Sequence, residues 1–187
     1  MDILVAISDR IDAFLRRVAR LTGWLFLATT VVICFDVLTR KLGFQLPYFG
    51  STRLQELEWH LAATLFLGWI GYGVVRDAHV RIDVFTGHLD RRKKDWIDFL
   101  GTLFFAIPYS LLVLPYAVQF AWTSWLQLES SDAPTGLPAR FVIKSILAFG
   151  IFTLLLASIS LLCRKAVALF GPAELRERMR NPREVQL

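Results

Sequence analysis

Four long apolar runs separated by short basic segments leave this chain little room to be anything but a membrane protein. A helix needs roughly 20 apolar residues to cross a hydrocarbon core about 30 Å thick. Such runs lie at about residues 21–42, 54–75, 96–125 and 141–163, and nearly all lysine and arginine falls between them. Little of the 187-residue chain remains for a soluble domain. The hydrophobic content of 55% agrees, since soluble domains sit near 45–50%. The expected fold is all-α: a four-span membrane domain over residues 21–165, a helix before it over 1–20, and a basic tail over 166–187.

Residues 2–20 carry Ile3, Leu4, Ile7, Ile11, Phe14, Leu15 and Val18 at helical spacing, with Asp2, Asp9, Arg10, Asp12, Arg16, Arg17 and Arg20 on the other face. This pattern predicts an amphipathic helix on the cytoplasmic side, lying on the membrane or packed on a partner. Its early acids, and the lack of a small-residue cleavage site, speak against a removable signal peptide. In the third run Pro108 and Pro115 share a face and should kink the helix. No internal repeat suggests the inverted architecture of a complete secondary transporter. Cys34 and Cys163 fall at different expected depths and read as apolar fillers.

The net charge of +5 needs no nucleic-acid partner to explain it. Basic residues crowd the N-terminal segment, the connection after the second run and the tail, and are sparse in the other two connections. The positive-inside rule then places both termini in the cytoplasm.

Ionisable residues at membrane depth are functional candidates because burying them is expensive. Asp36 and Arg40 stand four apart and can pair, although Arg40 could also snorkel. At the start of the second run Glu56 has Arg53 one turn before it and His60 one turn after. A proton or cation relay, a subunit contact and a solvated helix start compete there. A relay needs further acids deeper in the bundle, and the interiors of the third and fourth runs contain none. After the second run His79, Arg81 and Asp83 alternate with apolar residues and form a self-satisfied polar knot on the cytoplasmic side. Three histidines at mismatched depths make haem ligation improbable. No hydrolase, zinc-protease or phosphate-loop motif is present, so no enzyme, cofactor or metal is expected.

The order of these elements resembles the small integral-membrane (Q-type) subunit of tripartite ATP-independent periplasmic (TRAP) transporters, over about residues 20–165. The resemblance rests on Arg40, Gln55-Glu56-Leu57-Glu58-Trp59, Phe66-Leu67-Gly68 and Arg76-Asp77-Ala78-His79-Val80-Arg81-Ile82-Asp83-Val84. Further along it takes in Ser124-Trp125, Glu129-Ser130, Gly136-Leu137-Pro138 and Lys144. It is closest to the branch associated with mannitol, chloroaromatic and keto-acid-type systems. Ala78, Phe141 and Ala148 depart from residues common in the family.

The resemblance implies a multi-pass protein of the bacterial inner membrane that binds no substrate itself. A periplasmic binding protein would capture an organic acid. A large membrane subunit would carry the substrate and sodium sites, and this chain would brace that subunit's scaffold. Arg40, Gln55, Glu56, Glu58, Trp59, His79, Arg81 and Asp83 become candidates for a structural or subunit-interface role. Glu129 and Asp132, in the outer loop 126–140, become candidates for docking the binding protein, the alternative being that this loop packs on the large subunit. A stand-alone tetraspanning assembly factor, or the anchor of a redox complex, is the competing function.

Overall fold

A computed structural model describes residues 1–44, 50–78 and 87–180 of the chain. No strand occurs among the described residues. The helices are α1 (Asp2–Gly23), α2 (Leu25–Leu42), α3 (Ser51–Val75), α4 (Arg91–Gly101), α5 (Ile107–Leu126), α6 (Phe141–Phe170) and α7 (Ala173–Arg180). Trp24, the single residue between α1 and α2, keeps helical torsions (φ −64°, ψ −23°). The two therefore make one stretch, Asp2–Leu42, which is long and apolar enough to cross a membrane. Arg91–Leu126 and Phe141–Phe170 are the other two such stretches among the described residues. The helix α3 has 25 residues but opens with Arg53, Gln55, Glu56, Glu58 and His60, which dilute its apolar character.

Between α4 and α5 one π-helical turn, Thr102–Ala106, widens the helix, and the Ile107 N–H reaches back to the Thr102 carbonyl. Pro108 follows directly. It has no N–H to offer the preceding turn, and a π-bulge is one way a helix absorbs such a gap.

Contacts divide the chain into two units. The first comprises Met1–Arg16, Gly71–Leu112 and Thr153–Leu187. In it Val5, Ser8, Asp12 and Leu15, spaced three and four apart, form the buried stripe of α1. Asp12, expected on the polar face of that helix, is thus buried, at 3% exposure. Gly71 passes so close to α6 that an added Cβ would lie 2.7 Å from the Thr153 carbonyl oxygen. Trp96, Phe99 and Phe170 meet edge to face with centroids 5.5–6.1 Å apart. Beside them Lys165 bridges Asp95 at 2.9 Å and Asp98 at 2.7 Å.

The second unit comprises Arg17–Ile70 and Val113–Phe152. Ala117, Ala148 and Ile151 form its small apolar core, with Val113 and Leu114 against them. Gly68 lies against Thr22, and Gly150 against Leu67, with no room for a methyl group at either glycine. Small residues at such crossings let helices approach closely, which is how membrane helices associate without a hydrophobic driving force. The Trp69 indole N–H donates to the Ala19 carbonyl at 2.9 Å.

Candidate functional site

Of the residues singled out by sequence, Arg53, Glu56, Glu129 and Asp132 meet in the second unit, around the connection between α5 and α6. Glu56 sits in the second turn of α3, and its carboxylate holds that connection from outside. Oε2 accepts the Leu137 backbone N–H at 2.6 Å, and Oε1 accepts the Ser131 hydroxyl. Ser131 in turn accepts the Ala133 N–H at 3.2 Å, and its own N–H donates to the Leu137 carbonyl at 3.1 Å. One turn before Glu56, Arg53 Nε donates to the carbonyls of Thr135 and Gly136, at 3.2 and 3.3 Å. Gly136 has to be glycine, because a Cβ there would run into the Ser131 side chain and lie 2.9 Å from Glu56 Oε1. His60 turns its ring Nδ1–H to the Glu56 backbone carbonyl rather than to the carboxylate. Arg53 and Glu56 thus find their partners in the loop, and His60 finds its own within α3.

A second clamp closes the base of the same loop. Glu129 pairs with Lys144 in the first turn of α6, and the Lys144 ammonium lies 3.9 Å from the centroid of the Phe120 ring. The Lys144 hydrogen bond holds the Glu129 carboxyl below the usual carboxylate range. The Arg140 N–H donates to the Glu129 carbonyl at 2.9 Å, and Trp125 meets Phe141 edge to face at 4.5 Å. Leu128 and Ala139 flank the loop with φ of 46° and 63°, the left-handed region that non-glycine residues enter at a cost. Asp132 stands out on the crest, its side chain 94% exposed, 3.3 Å from Arg140. Chemically this is an anchor: donors and acceptors are matched to each other, and among the described residues no group of three or more His, Cys, Asp or Glu could hold a metal ion.

Residues 29–168 match the family described as tripartite ATP-independent periplasmic transporters, DctQ component. The chain belongs to the DctQ family. No curated protein and no solved structure matches it. The matched DctQ region begins inside α2 and ends inside α6, so it contains the whole of the Glu56 anchor and its loop. It contains Asp36 and Arg40 as well, which pair at 2.7 Å with the Asp36 side chain fully buried. Ser51 donates to Asp36 at 3.2 Å, and Gln55 donates to Ser51 at 3.0 Å, so the end of α2 is tied to the start of α3. Glu58 keeps one buried carboxylate oxygen with no hydrogen-bond partner among the described residues. Trp59 is half exposed, its ring 4.0 Å from that of His60. His79, Arg81 and Asp83 lie outside the described residues.

One polar cluster had not been singled out as a site, and it involves the part of the chain that precedes the DctQ match. Ser160 donates to Asp12 at 2.6 Å and shares a 3.0 Å hydrogen bond with Ser8. Arg164 donates to Ser8 at 2.9 Å and pairs with Asp12. The only hint in the sequence is the one-turn spacing of Ser160 and Arg164 on α6, matched by Ser8 and Asp12 on α1.

Proposed function

We propose that this DctQ chain is the small permease subunit that braces the scaffold of a large membrane subunit for binding-protein-dependent, ion-coupled uptake of an organic acid. The observation that carries the proposal is where its charged groups go. Glu56, Glu129, Asp36 and Asp12 each tie one segment of the chain to another. An assembly of helices cross-linked in this way suits a wall that must stay still while a neighbouring transport domain slides. Substrate and coupling ion, with sodium the expected one, would then belong to the large subunit.

In this reading α3 is the fourth span, since 25 residues at 1.5 Å each reach about 37 Å. With both termini cytoplasmic, the loop between α5 and α6 faces the periplasm and can receive the binding protein. Asp132 is the better placed of the two acids for that contact, because Glu129 is held by Lys144. Rim charges of this kind act mainly on association rate and salt dependence. Asp132→Lys should therefore raise the binding-protein concentration needed for half-maximal transport while leaving the maximum near normal.

The test is reconstitution of the large subunit and binding protein with and without this chain, together with calorimetry on the chain alone. Uptake should require the chain, and the isolated chain should give no heat with organic acids or sodium. Micromolar binding by the isolated chain would end the scaffold reading. Reporters fused at residues 1 and 187 should both be active in the cytoplasm only.

A further inference from the structure

Hydrocarbon tolerates exposed hydroxyls on a helix only when they are satisfied within it. Two exposed hydroxyls in the second unit follow that rule. Thr30 on α2 and Ser145 on α6 donate to the carbonyls of Phe26 and Phe141 one turn earlier, at 2.8 and 2.7 Å. The outward face of α2 is otherwise apolar, carrying Phe26, Leu27, Val31, Phe35 and Leu38, as lipid requires.

The helix α5 breaks the rule. Tyr116, Gln119 and Thr123 stand at i, i+3 and i+7, on one face of the helix, and all three are exposed, Tyr116 at 68%. None of the three side chains has a hydrogen-bond partner among the described residues. The helix ends at Leu126, so Gln119 lies about 10 Å below its outer end and Tyr116 about 15 Å below, at 1.5 Å per residue. The second depth is close to the middle of a core about 30 Å thick. A glutamine amide has two donors and an acceptor, and a tyrosine phenol has one of each. Lipid tails at that depth match none of them, whereas membrane helices meet such groups with polar side chains across a close contact.

We infer that this face of α5 seats a transmembrane helix of the large membrane subunit, whose polar groups pair with Tyr116, Gln119 and Thr123. The inference rests on the reading of the chain as a small permease subunit, and it adds which face makes the contact. It also assigns the apolar face of α2 to lipid.

The test uses the chain co-expressed with its large subunit in native membranes. Photoreactive benzoylphenylalanine replaces Tyr116 or Gln119 in turn, and Val31 on α2 as the control. The expected result is an adduct with the large subunit from positions 116 and 119 and none from 31. In parallel, Gln119→Leu and Tyr116→Phe should each lower recovery of the large subunit on the tagged chain by about three- to tenfold, the range of one interhelical hydrogen bond in a membrane. Gln119→Asn should recover part of that loss. Adducts from position 31 alone, adducts with a second copy of this chain, or full recovery by Gln119→Leu would each overturn the inference while leaving the small-subunit reading standing. If the unaltered chain captures no large subunit at all, the small-subunit reading falls, and the inference with it.

Discussion

Replacing Glu56 by alanine removes the two hydrogen bonds its carboxylate makes to the loop between α5 and α6, and the consequence can be followed at single amides. The carboxylate accepts one bond from the Leu137 N–H at 2.6 Å and one from the Ser131 hydroxyl. A hydrogen bond to a charged group is worth about 1.5–3 kcal/mol. Both bonds here are only partly buried, so the lower end of that range applies to each, about 3 kcal/mol in all. At about 1.4 kcal/mol per factor of ten, the Leu137 amide should exchange with solvent roughly a hundredfold faster in Glu56→Ala. Glu56→Gln behaves differently for a geometric reason. Its carbonyl can still accept from Leu137, and its amide can donate to Ser131, whose oxygen has a second lone pair beyond the one facing the Ala133 N–H. Only the charge assistance goes, about half the strength of each bond, so exchange should rise roughly tenfold. Hydrogen exchange read by mass spectrometry over 131–140, with a helical segment of α6 as internal reference, is the assay. Unchanged exchange at Leu137 in the alanine variant, or equal effects from alanine and glutamine, would refute the anchoring role.

Other outcomes follow from the same geometry. Gly71→Ala puts a methyl 2.7 Å from the Thr153 carbonyl oxygen; backbone cannot yield as a side chain can, and the thermal midpoint in detergent should fall by the equivalent of about 1–3 kcal/mol. Asp12→Ala takes the paired carboxylate from the Arg164 guanidinium, 13% exposed, and leaves it the Ser8 hydroxyl; breaking a buried pair costs at most about 3–5 kcal/mol, against about 1 kcal/mol for Ser8→Ala, and equal midpoints for the two variants would refute the network. Lys144 holds the Glu129 carboxyl below its ordinary value, so the stability this pair contributes is present above the unfolded carboxylate value of about 4.3 and is lost as pH falls through the depressed one. Trp125 fluorescence should therefore stay flat from neutral pH down to about 5 and change only in stronger acid, whereas a transition between pH 5 and 7 would refute the pairing.

What could be read from the sequence was whatever repeats every turn or every span. Apolar runs mark α2, α5 and α6, and the spacing of Asp36 and Arg40 carries their ion pair. The same logic placed Arg53, Glu56 and His60 on one face. It could not supply their partners, because Ser131 and Leu137 stand 75 and 81 positions from Glu56, and periodicity is blind to contacts between distant segments. Asp12 fell on the wrong side of α1 for a related reason. Charged residues were assigned to the polar face, and nothing local announces that Ser160 and Arg164 wait to receive one of them. Glu129 looked as free as Asp132 because both are acids in a polar loop, yet its pairing with Lys144 depends on how the chain turns between α5 and α6.

That turn has a thermodynamic consequence for whatever meets it from outside. A flexible loop must surrender conformational entropy when it is gripped, roughly 0.5–1.5 kcal/mol for each side chain immobilised. Here the immobilisation has already happened within the chain: Glu56 and Arg53 hold the crest, Lys144 holds the base, and two residues in left-handed torsions fix where the loop begins and ends. A visitor landing on Ser130, Asp132, Pro134 and Thr135, all exposed, therefore finds a surface whose ordering has been completed in advance. A contact made there can hold over a small area, because little of its binding energy is spent on ordering the loop.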